Sequence, residues 1–200
     1  MMKRLILKLT ETAPYRWLLL KVIPYIRFSM YYTSIRGWQY MDGYQRLNPG
    51  DIVLTNDKWK LTSLLIPGEW SHAALCVSKG CDFEIAEMTH TNFTKSTFFD
   101  LCHEATRVGI FRCVDWDYGY TLKVIRQCLS FASCEYDVSF EQGPEALYCS
   151  ELVVESDLEH RLKVDNEDAM GLGMPYVSPT GISKATNIVK IWDSRDGNHN

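Results

Sequence analysis

The segment Pro144–Glu155 places a cysteine where a loop turns into a helix, and no other feature constrains the fold as much. Leu147, Leu152 and Val153 recur at roughly helical spacing, which predicts a helix with one buried side. The first N–H groups of a helix have no intrahelical partner and form the positive end of its dipole. Because a thiol at that end is stabilised as thiolate, Cys149 is a candidate nucleophile. The alternative is a small buried hydrophobic residue, which describes most free cysteines.

The same pattern extends the predicted helix towards Leu158 and Leu162. The positions between these apolar residues are acidic, and we expect them on the side that faces water. They are Glu151, Glu155, Asp157 and Glu159.

Composition favours one globular domain with an ordinary core, since 46% of the 200 residues are hydrophobic and 23% are charged. The seven cysteines are odd in number and contain no C-x-x-C pair, which argues against zinc-ribbon and thioredoxin folds. No metal or cofactor is therefore expected. Cysteines within apolar runs and the lack of a cleavable signal suggest a reducing, cytoplasmic location. The seven are Cys76, Cys81, Cys102, Cys113, Cys128, Cys134 and Cys149.

Charge is unevenly distributed along the chain. Residues 1–36 carry seven basic side chains and one acidic side chain, a net charge of +6, whereas the remainder carries −10. This asymmetry indicates an anionic partner or a membrane surface. No nucleic-acid binding motif accompanies the charge, so a nucleic-acid partner is not expected. The basic residues are Lys3, Arg4, Lys8, Arg16, Lys21, Arg27 and Arg36.

Residues 17–28 form the most apolar run of the chain. The run is interrupted by Lys21, Pro24 and Arg27 and is too short to span a bilayer, which needs about 20 apolar residues. Two interpretations remain open: an interfacial segment in peripheral contact with a membrane, or a helix that packs on the domain. The candidate interfacial anchors are Trp17, Tyr25, Tyr31 and Tyr32. We divide the chain into a basic, aromatic-rich arm at 1–45, expected to be helical, and a domain at 46–200.

A turn and an apolar run at 47–55 predict the first strand of this domain, and Trp70–Val77 predicts the second. Strand alternation puts His72 on the same side as Ala74 and Cys76, two small residues that leave space beside the ring. An isolated histidine in such a place is usually structural. The next strand, however, offers this histidine a carboxylate partner.

Residues 83–88 predict a third strand that contains two carboxylates. A carboxylate in an apolar strand is costly to bury unless it meets a donor, and the preceding strand offers His72. Glu87 shares its side with Phe83 and Ile85 and is the favoured partner, while Glu84 remains the alternative.

The rest of the chain alternates predicted helices and strands. A short helix is expected at 61–66, a fourth strand at 108–114 and a last strand at 188–192, with a surface excursion at 165–179. An amphipathic helix before the cysteine is indicated by Leu122, Ile125, Leu129 and Ala132 and ends at 135–137. Among the other histidines, His90 could replace His72 only with a shifted strand register. His103, His160 and His199 lie in polar surroundings.

Six short motifs follow one another in the chain. They are Gly50-Asp51-Ile52-Val53, Trp70-Ser71-His72, Glu87, Tyr136-Asp137, Tyr148-Cys149-Ser150-Glu151-Leu152-Val153 and Ser178-Pro179. In this order they resemble the permuted papain-like cysteine hydrolases of the YiiX type, over roughly residues 49–192. These proteins are circularly permuted relatives of the NlpC-type peptidoglycan peptidases and of the lecithin:retinol acyltransferases. The resemblance implies an α+β fold in which an antiparallel sheet or small barrel packs against helices.

The resemblance also implies a triad in which Cys149 attacks a carbonyl carbon, His72 pairs with it and Glu87 orients the imidazole. The backbone N–H of Cys149 would then be one oxyanion donor. The preferred function is hydrolysis of an amide bond in a peptide or peptidoglycan-like substrate. Two alternatives stay open: acyl hydrolysis or transfer on lipid at a membrane, and a binding domain without catalysis.

Overall fold

The structure is a computed structural model that describes residues 13–26, 28, 35–60, 63, 66, 68–81, 83–137, 146–168 and 175–196. Several expectations lie outside these residues. They concern most of the helix expected at 61–66, the amino-terminal residues 1–12, the anchors Tyr31 and Tyr32, and His199.

Ten strands are found in the described residues. They are β1 Ile52–Asn56, β2 His72–Cys76, β3 Ile85–Thr89, β4 Asn92–Ser96, β5 Arg107–Cys113, β6 Glu135–Tyr136, β7 Ala146–Leu147, β8 Glu167–Asp168, β9 Pro175–Tyr176 and β10 Ile188–Asp193. Six of them form one antiparallel sheet in the order β10-β5-β1-β2-β3-β4, while β6 pairs with β7 and β8 with β9.

Six α-helices and one short 3-10 helix accompany these strands in the described segments. They are α1 Ala13–Lys21, the 3-10 helix Ile23–Tyr25, α2 Gly37–Arg46, α3 Phe98–Glu104, α4 Tyr118–Ser130, α5 Cys149–Ser156 and α6 Pro179–Ser183. The expected α+β architecture, a sheet packed against helices, is confirmed.

Alternation along the strands gives the sheet two apolar faces, because buried side chains point to both sides. One face carries Leu54, Leu75 and Phe111 and packs against residues of α4, α5 and α6. The other face carries Val53, Ile85 and Ile110 and packs against α3. The helix that begins at the cysteine therefore lies flat on the first face, over β2 and β3.

The arm meets the domain through α2, whose Gly43 lies against the ring of Trp192 on β10. A Cβ at Gly43 would come within 3.0 Å of that ring, so the glycine allows the close approach. The boundary at residue 45 stays a prediction.

Two details of the helix predicted after the cysteine were wrong. The helix α5 ends at Ser156, before Leu158, which is 61% exposed. Two of the acidic residues expected in water, Glu151 and Asp157, are buried. Their oxygens are satisfied locally, since Asp157 accepts hydrogen bonds from the Tyr120 hydroxyl and a backbone N–H, and Glu151 accepts from the N–H of Tyr148.

The buried side of α4 was also misassigned, because Leu122 is 45% exposed. Tyr120, Val124 and Cys128 form the buried face together with Ile125. The strand β4 and the helix α3 were missed altogether. The strand sequence Asn92–Ser96 is polar and half-buried at the edge of the sheet, so it carries little hydrophobic signal.

Candidate active site

The register of β2 and β3 brings His72 to Glu87. Ala74 pairs with Glu87 across the two strands, so the carboxylate lies on the same side of the sheet as His72, two residues away. The Nε2 atom of His72 lies 2.7 Å from Oε2 of Glu87. The Glu87 side chain is only 8% exposed and the histidine 24%, so this ion pair is largely shielded from water.

The alternative carboxylate, Glu84, is engaged elsewhere. It accepts hydrogen bonds from the Tyr44 hydroxyl at 2.7 Å and from the backbone N–H of Phe98 at 3.2 Å. These partners lie near the far end of β3, next to α2 and α3. The geometry thus pairs His72 with Glu87.

Ser96 holds the second oxygen of the Glu87 carboxylate. Its hydroxyl donates to Oε1 at 2.5 Å from the neighbouring strand β4. Both oxygens of Glu87 are therefore hydrogen-bonded, one to His72 and one to Ser96. The sequence analysis missed Ser96, since a serine in a polar edge strand has no distinguishing signal.

Cys149 is the first residue of α5, after Tyr148 in extended conformation. Its sulfur lies beside the ring of His72 and the backbone N–H groups of Ala73 and Ser150, close enough for all three to stabilise the thiolate. Because Nε2 of His72 faces Glu87, Nδ1 is the ring nitrogen left for the sulfur. His72 is the first residue of β2, so its ring lies at the end of the sheet, where α5 begins. The structure thus brings together all three residues expected in the site.

Each of the three groups stabilises the charged form of its neighbour. Burial opposes the charge on the imidazole, but the Cys149 thiolate and the Glu87 carboxylate outweigh it and raise the pKa of His72 to about 10. Burial also opposes the thiolate, yet the imidazolium and the surrounding N–H donors lower the pKa of Cys149. The pKa of Glu87 is likewise lowered, because the hydrogen bonds from His72 and Ser96 outweigh its burial. The arrangement therefore favours a thiolate–imidazolium pair backed by a carboxylate.

A single segment, 177–180, forms hydrogen bonds both with the start of α5 and with the residues before β2. The backbone of Val177 donates to the Tyr148 hydroxyl at 3.0 Å and accepts from the Ser150 hydroxyl at 2.7 Å, which fixes the start of α5. The hydroxyl of Thr180 accepts from the N–H of Trp70 at 3.0 Å and donates to its carbonyl at 3.2 Å. Trp70 lies two residues before His72. We call 177–180 the bridging segment.

Tyr136 lies on the rim of the site, in the motif Tyr136-Asp137. Burial and the negative charge of Cys149 raise the pKa of its phenol, so it stays a protonated donor. Its backbone N–H donates to Oδ1 of Asn92, the first residue of β4, at 3.1 Å. The sequence analysis noted the motif but assigned this tyrosine no role.

The remaining described histidines lie away from the sulfur. His90 lies in the β3–β4 turn, where its ring contacts Tyr25. His103 stacks on Phe99, and His160 lies exposed beyond the end of α5.

Comparison with known proteins supports the architecture. Among solved structures, the metalloprotein yiiX from Escherichia coli O157:H7 matches with a TM-score of 0.63 and 13% sequence identity, over 74% of this chain and 97% of that chain. This likeness shows a shared fold. No curated protein sequence matches significantly. The family model of the permuted papain-like amidase enzymes, YaeF/YiiX, matches residues 46–182. With more than half of its length covered by that match, the chain belongs to the C92 family of permuted papain-like amidases.

Proposed function

We propose that the protein is a thiol-dependent hydrolase that cleaves an amide bond in a peptide or peptidoglycan-like substrate. The observation that carries the proposal is that the His72 ring lies 2.7 Å from Glu87 on one side and beside the Cys149 sulfur on the other, where it stabilises the thiolate. Nucleophile, base and orienting group within hydrogen-bond reach of one another are the arrangement that nucleophilic catalysis requires. Membership of an amidase family favours an amide as the bond that is broken.

The chemistry proceeds in two halves. The Cys149 thiolate attacks the carbonyl carbon and forms a C–S bond, while the carbonyl oxygen becomes an oxyanion. The His72 imidazolium gives its proton to the amide nitrogen, the C–N bond breaks, and the amine leaves. Neutral His72 then takes a proton from water, and the resulting hydroxide attacks the thioester. The C–S bond breaks, a carboxylic acid product departs, and the thiolate–imidazolium pair is restored.

The backbone N–H of Cys149 is the first oxyanion donor in this proposal. As the first residue of α5 it has no intrahelical partner for that N–H, which lies at the positive end of the helix dipole. The protonated phenol of Tyr136 is a second donor on the rim. Donors that are already in place when the charge develops typically account for factors of about 10² to 10³ each.

Ionisation of the thiol contributes little by itself. A fall in cysteine pKa from about 8.5 to about 6 raises the thiolate fraction at pH 7 roughly 30-fold. The accompanying loss of nucleophilicity, with a Brønsted slope of about 0.4–0.5, removes about 10- to 20-fold of that gain. Most of the acceleration must therefore come from positioning, oxyanion stabilisation and proton donation by His72.

The structural neighbour is named a metalloprotein, which raises the question of a metal in this chain. Within the described residues, no three His, Cys, Asp or Glu side chains are arranged to hold an ion. His72, Glu87 and Cys149 bond to one another instead. The proposed reaction therefore contains no step that uses a metal.

Replacing Ser96 with Ala should lower kcat about three- to tenfold and leave KM unchanged, because Glu87 loses one of its two hydrogen-bond donors. The loss of that donor raises the pKa of Glu87. As the pH is lowered, the variant should therefore lose activity at a higher pH than the wild type does. Thr94→Val is the matched control on the same strand, since its hydroxyl bonds to Thr89 and to the Asn92 carbonyl. Equal kinetics of the two variants would remove Ser96 from the positioning of the site.

The proposed activity can be tested without a known substrate. The protein is incubated in ¹⁸O-labelled water with a pool of peptides and peptidoglycan stem fragments, and mass spectrometry follows the label. Amide hydrolysis should place label in each new carboxyl group, and the Cys149→Ala protein should add none above background. Release of fatty acid from phospholipid without cleavage of any amide would overturn the amide assignment.

A further inference from the structure

A group of exposed aromatic and aliphatic side chains lies on the amino-terminal segment and on the loop after β1. Their exposed fractions are 61% for Trp17, 40% for Leu18, 68% for Tyr25, 36% for Ile26, 63% for Phe28 and 36% for Trp59. Single exposed apolar residues are ordinary on a protein surface, but a group of large ones indicates an interaction site. We call these six residues the aromatic surface.

The aromatic surface lies at the end of the sheet that carries the candidate active site. The hydroxyl of Tyr25 lies 3.2 Å from Nε2 of His90, and the two rings meet edge to face at 5.2 Å. His90 follows β3 and is three residues from Glu87. The N–H of Phe28 donates to the carbonyl of Trp59 at 3.0 Å, just beyond the end of β1. Two independent contacts therefore hold this segment beside the site.

Positive charge accompanies the aromatic surface. Burial and the charges of Lys60 and Lys21 lower the pKa of His90, so both ammonium groups act on the ring that Tyr25 contacts. Lys60 also acts on Glu87, inside the site. The Lys58 ammonium lies 4.9 Å from the centre of the Trp59 ring. This end of the molecule thus combines exposed aromatic rings with cationic side chains, although the net charge of the whole chain is −4.

We propose that the aromatic surface docks on an anionic phospholipid bilayer and holds the mouth of the active site beside the headgroups. Tryptophan and tyrosine with flanking lysines are the side chains that settle at a membrane–water interface. The net charge of +6 on residues 1–36 complements the negative surface potential of such a bilayer, whereas the −10 of the remainder is repelled by it. An acidic polypeptide would use the lysines but would leave the exposed rings in water.

The contact is peripheral. Helix α1 has nine residues, and a membrane-spanning helix needs about 20. In the part of the chain that the structure describes, no helix is both long enough and apolar enough to cross a bilayer.

Sedimentation of the full-length protein with vesicles tests the proposal. Wild-type protein should sediment with vesicles of phosphatidylcholine and about 30% phosphatidylserine, and at least about tenfold less with phosphatidylcholine alone. The triple variant Trp17→Ala, Tyr25→Ala, Phe28→Ala should lose at least about tenfold in partitioning, because it lacks the inserted rings.

A matched control removes equally exposed side chains from the opposite end of the sheet. The control triple variant is Val114→Ala, Tyr118→Ala, Leu158→Ala, at positions 60%, 82% and 61% exposed. Val114 follows the far end of β5, and Leu158 follows the far end of α5. This variant should sediment like the wild type.

The charge contribution is measured separately with Lys21→Ala, Lys58→Ala, because the Lys60 ammonium is already paired with Glu104 at 3.1 Å. Each lysine near an anionic surface is worth about fivefold in partitioning, so the double variant should lose roughly 25-fold, and added salt should weaken wild-type binding. Absence of wild-type protein from the anionic vesicle pellet would overturn the proposal. Equal losses in the two triple variants would also overturn it. Capture by immobilised polyglutamate without vesicle binding would assign the surface to an acidic protein partner instead.

Discussion

Changing Cys149 to Ser or His72 to Ala is expected to lower kcat/KM for a peptide amide by at least about four orders of magnitude. The first change removes the thiolate that forms the acyl-enzyme. The second removes both the counter-ion of the thiolate and the acid that protonates the leaving amine. Each residue acts only together with the other, so the double variant should be no slower than either single variant.

Glu87→Gln should cost less, about 10- to 100-fold, because the ring can keep its place while the imidazolium loses the facing charge. Cys81→Ser is the matched cysteine control, since Cys81 is exposed and plays no part in the site. Thermal unfolding of every variant separates lost chemistry from lost structure. Full hydrolysis by a Cys149→Ala protein would refute the assignment of the nucleophile.

The rate of Cys149 alkylation by iodoacetamide should rise less steeply with pH between about pH 7 and about pH 9 than that of an ordinary thiol. This expectation follows from the pKa shifts of Cys149 and His72. The pKa of Cys149 lies below its ordinary value, so a larger fraction of this residue is thiolate at neutral pH than of an ordinary cysteine. The imidazolium that stabilises it persists until the pH approaches about 10, the raised pKa of His72. Mass spectrometry of the peptide that contains Cys149 measures the rate at each pH.

The His72→Ala variant should behave in the opposite way. Without the imidazolium, only the backbone N–H groups of Ala73 and Ser150 oppose the effect of burial on the thiol, so its pKa should rise. Its alkylation rate should then rise about tenfold for each pH unit across the neutral range, as only the thiolate reacts. A wild-type profile with the same slope as the variant would show that no ion pair exists, and the domain would be a binding module.

The sequence alone was sufficient to place the three side chains of the candidate site on their elements. Cys149 lies at a helix start, and strand alternation puts His72 and Glu87 on one side of neighbouring strands; these are local rules that short segments obey. The choice between Glu84 and Glu87 was not local. It depended on the register of β2 against β3 and on Tyr44, which comes from a helix about 40 residues earlier and satisfies Glu84.

Residues of the bridging segment were missed because their partners are distant in the chain. Thr180 bonds to Trp70, 110 residues away, and a threonine near a short helix has no signal that names such a partner. The buried Glu151 and Asp157 were misplaced for a different reason: a helical pattern assigns charged residues to water, and it does not show that nearby backbone N–H groups can satisfy a buried carboxylate.

The bridging segment is synthesised after both reactive residues, so the site can be completed only late in the synthesis of the domain. Cys149 and His72 are both synthesised before Val177 and Thr180, yet hydrogen bonds with these later residues hold the sequence neighbours of the sulfur and of the ring. A chain that stops short of Val177 therefore contains both reactive residues but lacks these hydrogen bonds. The geometry of the site is complete only when the bridging segment has also been made and has folded onto the domain.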